Sequence, residues 1–321
     1  MPLIQSSTYK PSRIFRTGHI NTIYPALFRK IPSFDFERER IDTLDGDFLD
    51  LDWAKKGNDR LLIALHGLEG SAERPYIQGV IQYFNRNGWD GVGLNLRSCS
   101  GELNRKLQSY NMGSSDDLAF VIDYIIEHYD YKEVVLVGFS MGGNIILKYL
   151  GEGNVIPSKI KAAVAFSVPC HIPTATIEIE RWQNWQYVRR FMKTLNEKTE
   201  KKAKMFPSDL DVSKPMPRNF TEFDGRFTAP VHGYSSAADY WTKCSSLQFL
   251  ENISIPTLLV NAKDDSFLST QCFPYEIAKS SIYFHLETPK WGGHVGFVGD
   301  DYEKGVYWSE RRALEFISAS C

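Results

Sequence analysis

The chain has 321 residues, 43% of them hydrophobic and 24% charged, and carries a formal net charge of −2 at neutral pH. That balance excludes a disordered or collagen-like chain and gives no electrostatic case for nucleic acid as a partner. No apolar run approaches the length of a membrane span, so no integral membrane segment is expected. Lys10, Arg13 and Arg16 precede no apolar core of a signal peptide, so the expected location is cytoplasmic. Five cysteines (Cys99, Cys170, Cys244, Cys272 and Cys321) are scattered and odd in number, with no Cys-x-x-Cys pair. They read as free thiols in a reducing compartment. Neither they nor the seven histidines show metal-ligand spacing, so no metal is expected.

Strands and helices alternate along the chain. Residues 36–55 read as an antiparallel hairpin turning at 44–47. Residues 61–65 are a buried strand ending at His66-Gly67. Residues 74–87 follow as a helix with Ile77, Val80, Ile81 and Phe84 on one face and Gly88 as its stop. Residues 91–96 form the next strand. Residues 114–129 form a helix with Ser115 as candidate N-cap, followed by Asp116 and Asp117, whose charges suit a helix N-terminus. Further strands are expected at 134–137, 162–168, 257–260 and 282–286. Near-continuous apolar strands between helices imply an α/β fold: a mostly parallel sheet with helices on both faces. No linker-like stretch divides the chain, so one large domain with an insertion is expected.

The chemistry centres on Gly138-Phe139-Ser140-Met141-Gly142, placed between the strand at 134–137 and an apolar helical run at 144–150. A nucleophile elbow needs this order: strand, serine on a tight turn, helix, with small residues two before and two after the serine. In a parallel sheet, ligands bind at the carboxyl ends of the strands. His66-Gly67-Leu68, Ser140, the pair Asp264 and Asp265, and His294 all fall at such ends. Ser, then Asp, then His is the chain order of an α/β-hydrolase. A serine hydroxyl needs a base to take its proton, and the glycine-rich loop 290–297 can carry His294 to it. A carboxylate must then orient that imidazole. Asp264 is favoured, as the first side chain able to turn back from the strand end, with Asp265 as the alternative. The oxyanion donors expected are the backbone N–H groups of Leu68 and Met141, while His66 is expected to fix its loop.

Other residues have plainer readings. His19, His128, His171, His232 and His285 read as surface or structural histidines, and Asp116 and Asp117 as capping, solvated groups. Lys198 to Lys204 reads as a solvated helix face. Trp182, Trp185, Val188, Met192 and Leu195 recur at three- and four-residue spacing, one apolar stripe on a helix. Its place between the strands at 162–168 and 257–260 suits a cap over an acyl pocket. The same basic, Trp-bearing helix admits peripheral contact with a membrane surface.

Over nearly its whole length the chain resembles the AB hydrolase superfamily in its YheT-like (AB hydrolase-4) branch. The resemblance is carried by the segments 18–29, 66–71, 95–102, 227–234, 239–241, 261–267 and 292–297. It implies an α/β-hydrolase fold with an N-terminal segment (about 1–35) and a cap insertion (about 171–250). Ser140, Asp264 and His294 would take the charge-relay positions, with no metal and no organic cofactor. One departure is Ser98, where the branch usually has glycine, and the function of Arg97 is open between anchoring a loop and meeting a polar head group. The reading is a serine esterase for carboxylic esters, on a small-molecule or lipid ester such as a short-chain ester or acylglycerol. Two others remain: a lipid acyltransferase or phospholipid acyl hydrolase, and a non-catalytic scaffold that needs none of the three side chains.

Overall fold

Residues 61–65 are all buried, and they alternate between two apolar layers: Leu61, Ile63 and Leu65 face one, Leu62 and Ala64 the other. A strand buried on both faces must lie inside a sheet covered by helices on each side. The computed structural model describes residues 3–31, 35–299 and 302–320. Its strands are β1 (Leu3–Ile4), β2 (Glu37–Asp42), β3 (Phe48–Ala54), β4 (Arg60–Leu65), β5 (Asp90–Asn95), β6 (Glu133–Phe139), β7 (Ile160–Phe166), β8 (Thr257–Val260) and β9 (Phe284–Glu287). They form one sheet in the order β1-β9-β8-β7-β6-β4-β5-β3-β2, antiparallel only where β3 pairs with β2 and β5. The expected hairpin is β2–β3, pairing Asp42 with Phe48 beside its turn.

The helices are α1 (Gly18–Phe28), α2 (Pro75–Asn85), α3 (Ser115–His128), α4 (Met141–Gly151), α5 (Ile172–Ile179), α6 (Trp185–Met205), α7 (Phe220–Phe223), α8 (Ala229–Val231), α9 (Ala237–Cys244), α10 (Tyr275–Ser280) and α11 (Trp308–Ser320). Apolar faces of α3 and α4 cover one side of the sheet, and α2 and α11 cover the other. Strands β4, β6, β7 and β8 are adjacent and parallel, so the loops that follow them meet at one edge. That edge gathers His66, Ser140, Ser167 and the pair Asp264–Asp265.

Several local expectations need correction. Ser114, not Ser115, is the N-cap of α3, and its side chain does not cap the helix; its Oγ instead accepts from Asn111 N at 2.9 Å. Asp117 is not a solvated group: it is buried and takes a forked pair of hydrogen bonds from Arg97. Arg97 also reaches Asp45 at 2.7 Å and Asp47 at 3.0 Å, so it anchors three segments to one another. Ser98 adopts φ 64°, the region glycine favours, and its hydroxyl donates to Asn104 Oδ1 at 2.6 Å and accepts from Asn104 N at 3.0 Å. Those local bonds hold a serine where a bare backbone would serve.

The stripe expected through Trp182 to Leu195 splits. Val188, Met192 and Leu195 pack with Phe223 and Phe227, but Trp182 and Trp185 are exposed. A 3₁₀ turn at Trp182–Asn184 precedes α6 and shifts the phase. It turns Asn184 inward, where its Nδ2 donates to the carbonyls of Glu178 and Ser266. Lys198 and Lys202 are not solvated either. Lys198 pairs with Glu69 at 2.9 Å, and buried Lys202 donates to the carbonyls of Asn104 and Lys106. The N-terminal segment contains α1, for which hydrophobic periodicity provides no signal: its one buried residue is Asn21. Residues 1, 2, 32–34, 300, 301 and Cys321 lie outside the described residues; the other four cysteines are free and buried.

Candidate active site

Strand β6 runs into α4 through Ser140, whose backbone takes φ 54° and ψ −119°. A non-glycine residue held there costs about 1–3 kcal/mol and persists only where its surroundings over-determine it. Here Ser140 N donates to Phe166 O at 2.8 Å, and Ser140 O accepts from Asn144 N at 3.1 Å. The flanking glycines are required by close approach. A Cβ at Gly138 would sit 2.6 Å from Gly142 O, and one at Gly142 would sit 2.5 Å from Leu65 O. Gly142→Ala therefore has no room to be absorbed, because the obstacle is backbone on both sides. It should cost about 1–3 kcal/mol or more in urea unfolding and displace Ser140, lowering any Ser140-dependent turnover further than stability alone explains.

The hydroxyl of Ser140 lies 2.9 Å from His294 Nε2, and His294 Nδ1 lies 2.9 Å from Asp265 Oδ2. The Asp265 side chain is buried, while that of His294 is 11% exposed. With the Asp265 carboxylate as acceptor, Nδ1 carries the proton and Nε2 is left to accept from the serine. The chain of contacts from Ser140 through His294 thus ends on Asp265 and not on Asp264, the residue favoured from the strand end. The reason lies in the loop. Asn261 stays extended and buried, spanning Val168 and Cys272 by its side chain. The chain then turns, Asp265 N donating to Ala262 O at 3.2 Å. Reversal is complete only at Asp265, so that side chain faces His294, and Phe267 N steadies its other oxygen at 3.0 Å. Asp264 instead accepts from Gly293 N at 2.9 Å through Oδ1. Its Oδ2 is buried with no hydrogen-bond partner among the described residues, and burial pushes its carboxyl up to about 6.

The base loop is held by residues that carry no sequence signal. His294 N donates to Thr22 Oγ1 at 2.8 Å, and Val295 N donates to Ser167 Oγ at 2.8 Å. Asn21 accepts from Val298 N at 3.1 Å and donates to the Tyr9 hydroxyl and Phe15 O, each at 2.8 Å. So α1 turns its polar face inward and grips the loop that carries the imidazole. The Phe267 ring covers that imidazole at 4.2 Å between centroids.

Leu68 and Met141 border one cavity with Ser140 and His294. Met141 is the first residue of α4, so its N–H has no acceptor within the helix. The loop that carries Leu68 passes beside the serine: a Cβ at Gly67 would lie 3.1 Å from Ser140 Cβ. Glu69, at φ 53°, is held by Tyr110, whose hydroxyl accepts from Glu69 N at 3.0 Å and donates to Glu69 Oε1 at 2.5 Å. Lys198 of α6 reaches the same carboxylate, which ties the helical segment to this loop. The cavity has a volume of about 190 Å³. Its walls are mainly apolar and include Met112, Leu195, Phe191, Phe223 and Phe227.

His66 does the structural work expected of it. Leu96 N donates to its Nε2 at 3.2 Å, so Nδ1 carries the proton and donates to Gly67 O at 2.8 Å. Burial pushes its pKa from 6.5 down to about 4. The unfolded chain therefore takes up this proton more readily than the folded one. Stability from His66 is complete above pH 6.5 and is lost as pH falls through about 4. Asp224 and Asp264, each raised to about 6 chiefly by burial, act in the opposite sense: their stability is present at low pH and lost as pH rises through 6. A His66→Gln comparison separates these contributions. The advantage of the native chain over the variant should shrink by roughly 2 kcal/mol between pH 7.5 and pH 5 in urea unfolding. A constant difference would mean that His66 takes up its proton in the fold as readily as in the unfolded chain.

Residues 60–272 match the family model described as the alpha/beta hydrolase fold. The chain belongs to the α/β-hydrolase family. It is 33% identical over 322 residues to the candidate esterase YheT of Escherichia coli (strain K12), a match covering 98% of this chain and 94% of that one. It is 29% identical to phospholipase ABHD3 of Mus musculus over 98% of this chain and 79% of the relative. Among solved structures, the esterase Pf2001 of Pyrococcus furiosus superposes with a TM-score of 0.60 at 18% identity, covering 89% of this chain and 92% of the other, which speaks for the fold alone. The chain is thus an α/β hydrolase whose relatives carry esterase and phospholipase names.

Proposed function

We propose that this chain is a serine esterase that cleaves carboxylic esters of short-chain or lipid type through an acyl-enzyme. The observation that carries the reading is the pair of 2.9 Å contacts linking Ser140, His294 and Asp265 beside an apolar cavity. His294 takes the Ser140 proton as the serine oxygen attacks the ester carbonyl, with the carbonyl oxygen held by the Leu68 and Met141 amides. His294 gives its proton to the departing alkoxide. Water then enters, loses a proton to the same imidazole, and its oxygen displaces Ser140 from the acyl carbon to release the acid, the imidazolium returning that proton to the Ser140 oxygen. Asp265 keeps the imidazole oriented and supports its cationic form.

The helical segment between β7 and β8 serves as the cap, and its apolar wall receives the acyl chain. The relatives named as an esterase and a phospholipase support the ester class, and the apolar wall supports an acyl chain over a charged group. The test is a fluorophosphonate probe with mass mapping of the adduct, followed by turnover of p-nitrophenyl esters of increasing chain length. Adduct on Ser140 together with ester turnover is expected. A folded chain that neither labels nor turns over esters would favour the non-catalytic scaffold. Product partition toward a new ester when an alcohol is added would favour the acyltransferase.

A further inference from the structure

Helix α1 is inverted. Gly18, Asn21 and Thr22 face the acid and base loops, while Ile20, Ile23, Leu27 and Phe28 face outward, with Leu27 and Phe28 each 63% exposed. An amphipathic helix normally buries its apolar face, and a cluster of large exposed side chains marks a surface that meets something. A second exposed pair stands close by. Trp182, in the turn before α6, and Trp185, its first residue, are 83% and 53% exposed.

Both elements flank the loop that carries Asp265. Gly18 lies against the Asp264 carbonyl, Asn184 exchanges hydrogen bonds with Ser266, and Tyr187 packs on Phe267 at 4.9 Å between centroids. They also touch each other: His19 stacks on Tyr187, with Nδ1 3.1 Å from its hydroxyl. An aromatic path therefore runs from this surface through Tyr187 and Phe267 to His294.

Charge says which partner fits. Residues 1–34 contain Lys10, Arg13, Arg16, Arg29 and Lys30 and no acidic residue; residues 181–196 contain Arg181, Arg189, Arg190 and Lys193 and no acidic residue. Arg29 is buried against Glu310, and Arg181 pairs with Glu178. The other seven cations carry their charge in a chain whose net formal charge is −2. Exposed aliphatic and tryptophan side chains interleaved with cations match the interfacial zone of an anionic bilayer, where tryptophan sits at head-group depth and cations meet lipid phosphates.

We propose that the outward faces of α1 and of the turn before α6 dock this chain on an anionic lipid surface, with the Asp265–His294 side of the site turned toward it. The inference rests on the esterase reading only for its purpose, which is access to a lipid ester. Its test needs no turnover. Vesicle sedimentation is read for the native chain and for Ser140→Ala, with vesicles of phosphatidylcholine alone and with about one-third phosphatidylglycerol. Both chains should bind the anionic vesicles at least about tenfold more tightly, and binding should weaken as salt is raised. Leu27→Glu and Trp182→Glu, on separate elements, should each weaken binding about tenfold while leaving hydrolysis of a monomeric soluble ester unchanged. Equal or absent binding to the two vesicle types by the native chain, read without any variant, overturns the proposal. So does a concentration-dependent dimer that Leu27→Glu dissociates, which would place a second copy on this face.

Discussion

Ser140→Ala will lower kcat for a good ester substrate by roughly 10⁴–10⁶-fold with KM little changed. The size follows from the proposed mechanism, in which the serine oxygen is the atom that bonds to the acyl carbon and His294 is the base that frees it. Nucleophile and base act as a unit, so His294→Ala should fall in the same range and the double variant should be little worse than either. What survives would come from the Leu68 and Met141 amides and from binding in the cavity. Steady-state kinetics of the three variants, with urea unfolding to establish that each is folded, reads this directly. A Ser140→Ala chain retaining more than about one-hundredth of native kcat would mean that another group performs the attack, and the relay geometry would then be structural.

Strand and elbow positions were legible because they depend on local signals: apolar runs at 61–65 and 134–137, and glycines where a Cβ would strike backbone. The proximity of Ser140 and His294 was legible from chain order and from the rule that parallel strands end at one edge. The choice between Asp264 and Asp265 was not. Adjacent side chains of a turn point in different directions, and which one reaches the imidazole depends on where the chain completes its reversal. That is fixed by the buried Asn261 and the Asp265–Ala262 hydrogen bond. Thr22 was invisible for a related reason: it meets His294 across 272 positions of sequence, and α1 shows none of the apolar-inward spacing that marks a packed helix. Lys198 was misread because a charge run on a helix is ordinarily solvated. Its partner Glu69 sits on the loop after β4, 129 positions away in sequence. Pattern rules describe a helix against water, whereas these helices pack polar side chains against loops.

Asp265→Asn should cost about 10³–10⁴ in kcat, whereas Asp264→Asn should cost less than about tenfold. An amide at position 265 offers an N–H where His294 needs an acceptor, or forces the imidazole to place its proton on Nε2. In that tautomer the nitrogen facing Ser140 can no longer accept a proton. Position 264 makes no such demand. Its Oδ1 accepts from the Gly293 amide, which an asparagine carbonyl can also do, and its Oδ2 has no partner among the described residues to lose. Because burial raises the Asp264 carboxyl to about 6, ionising it is unfavourable in the fold. The stability it contributes is present at low pH and lost as pH rises through 6, so Asp264→Asn should be relatively more stable at pH 8 than at pH 5 when compared with the native chain. The two substitutions thus separate on two axes. One removes turnover, and the other changes the pH dependence of unfolding with little loss of turnover. If Asp264→Asn proved the more damaging to kcat, the imidazole would be oriented through Gly293 and the loop backbone, and Asp265 would be a buried structural partner.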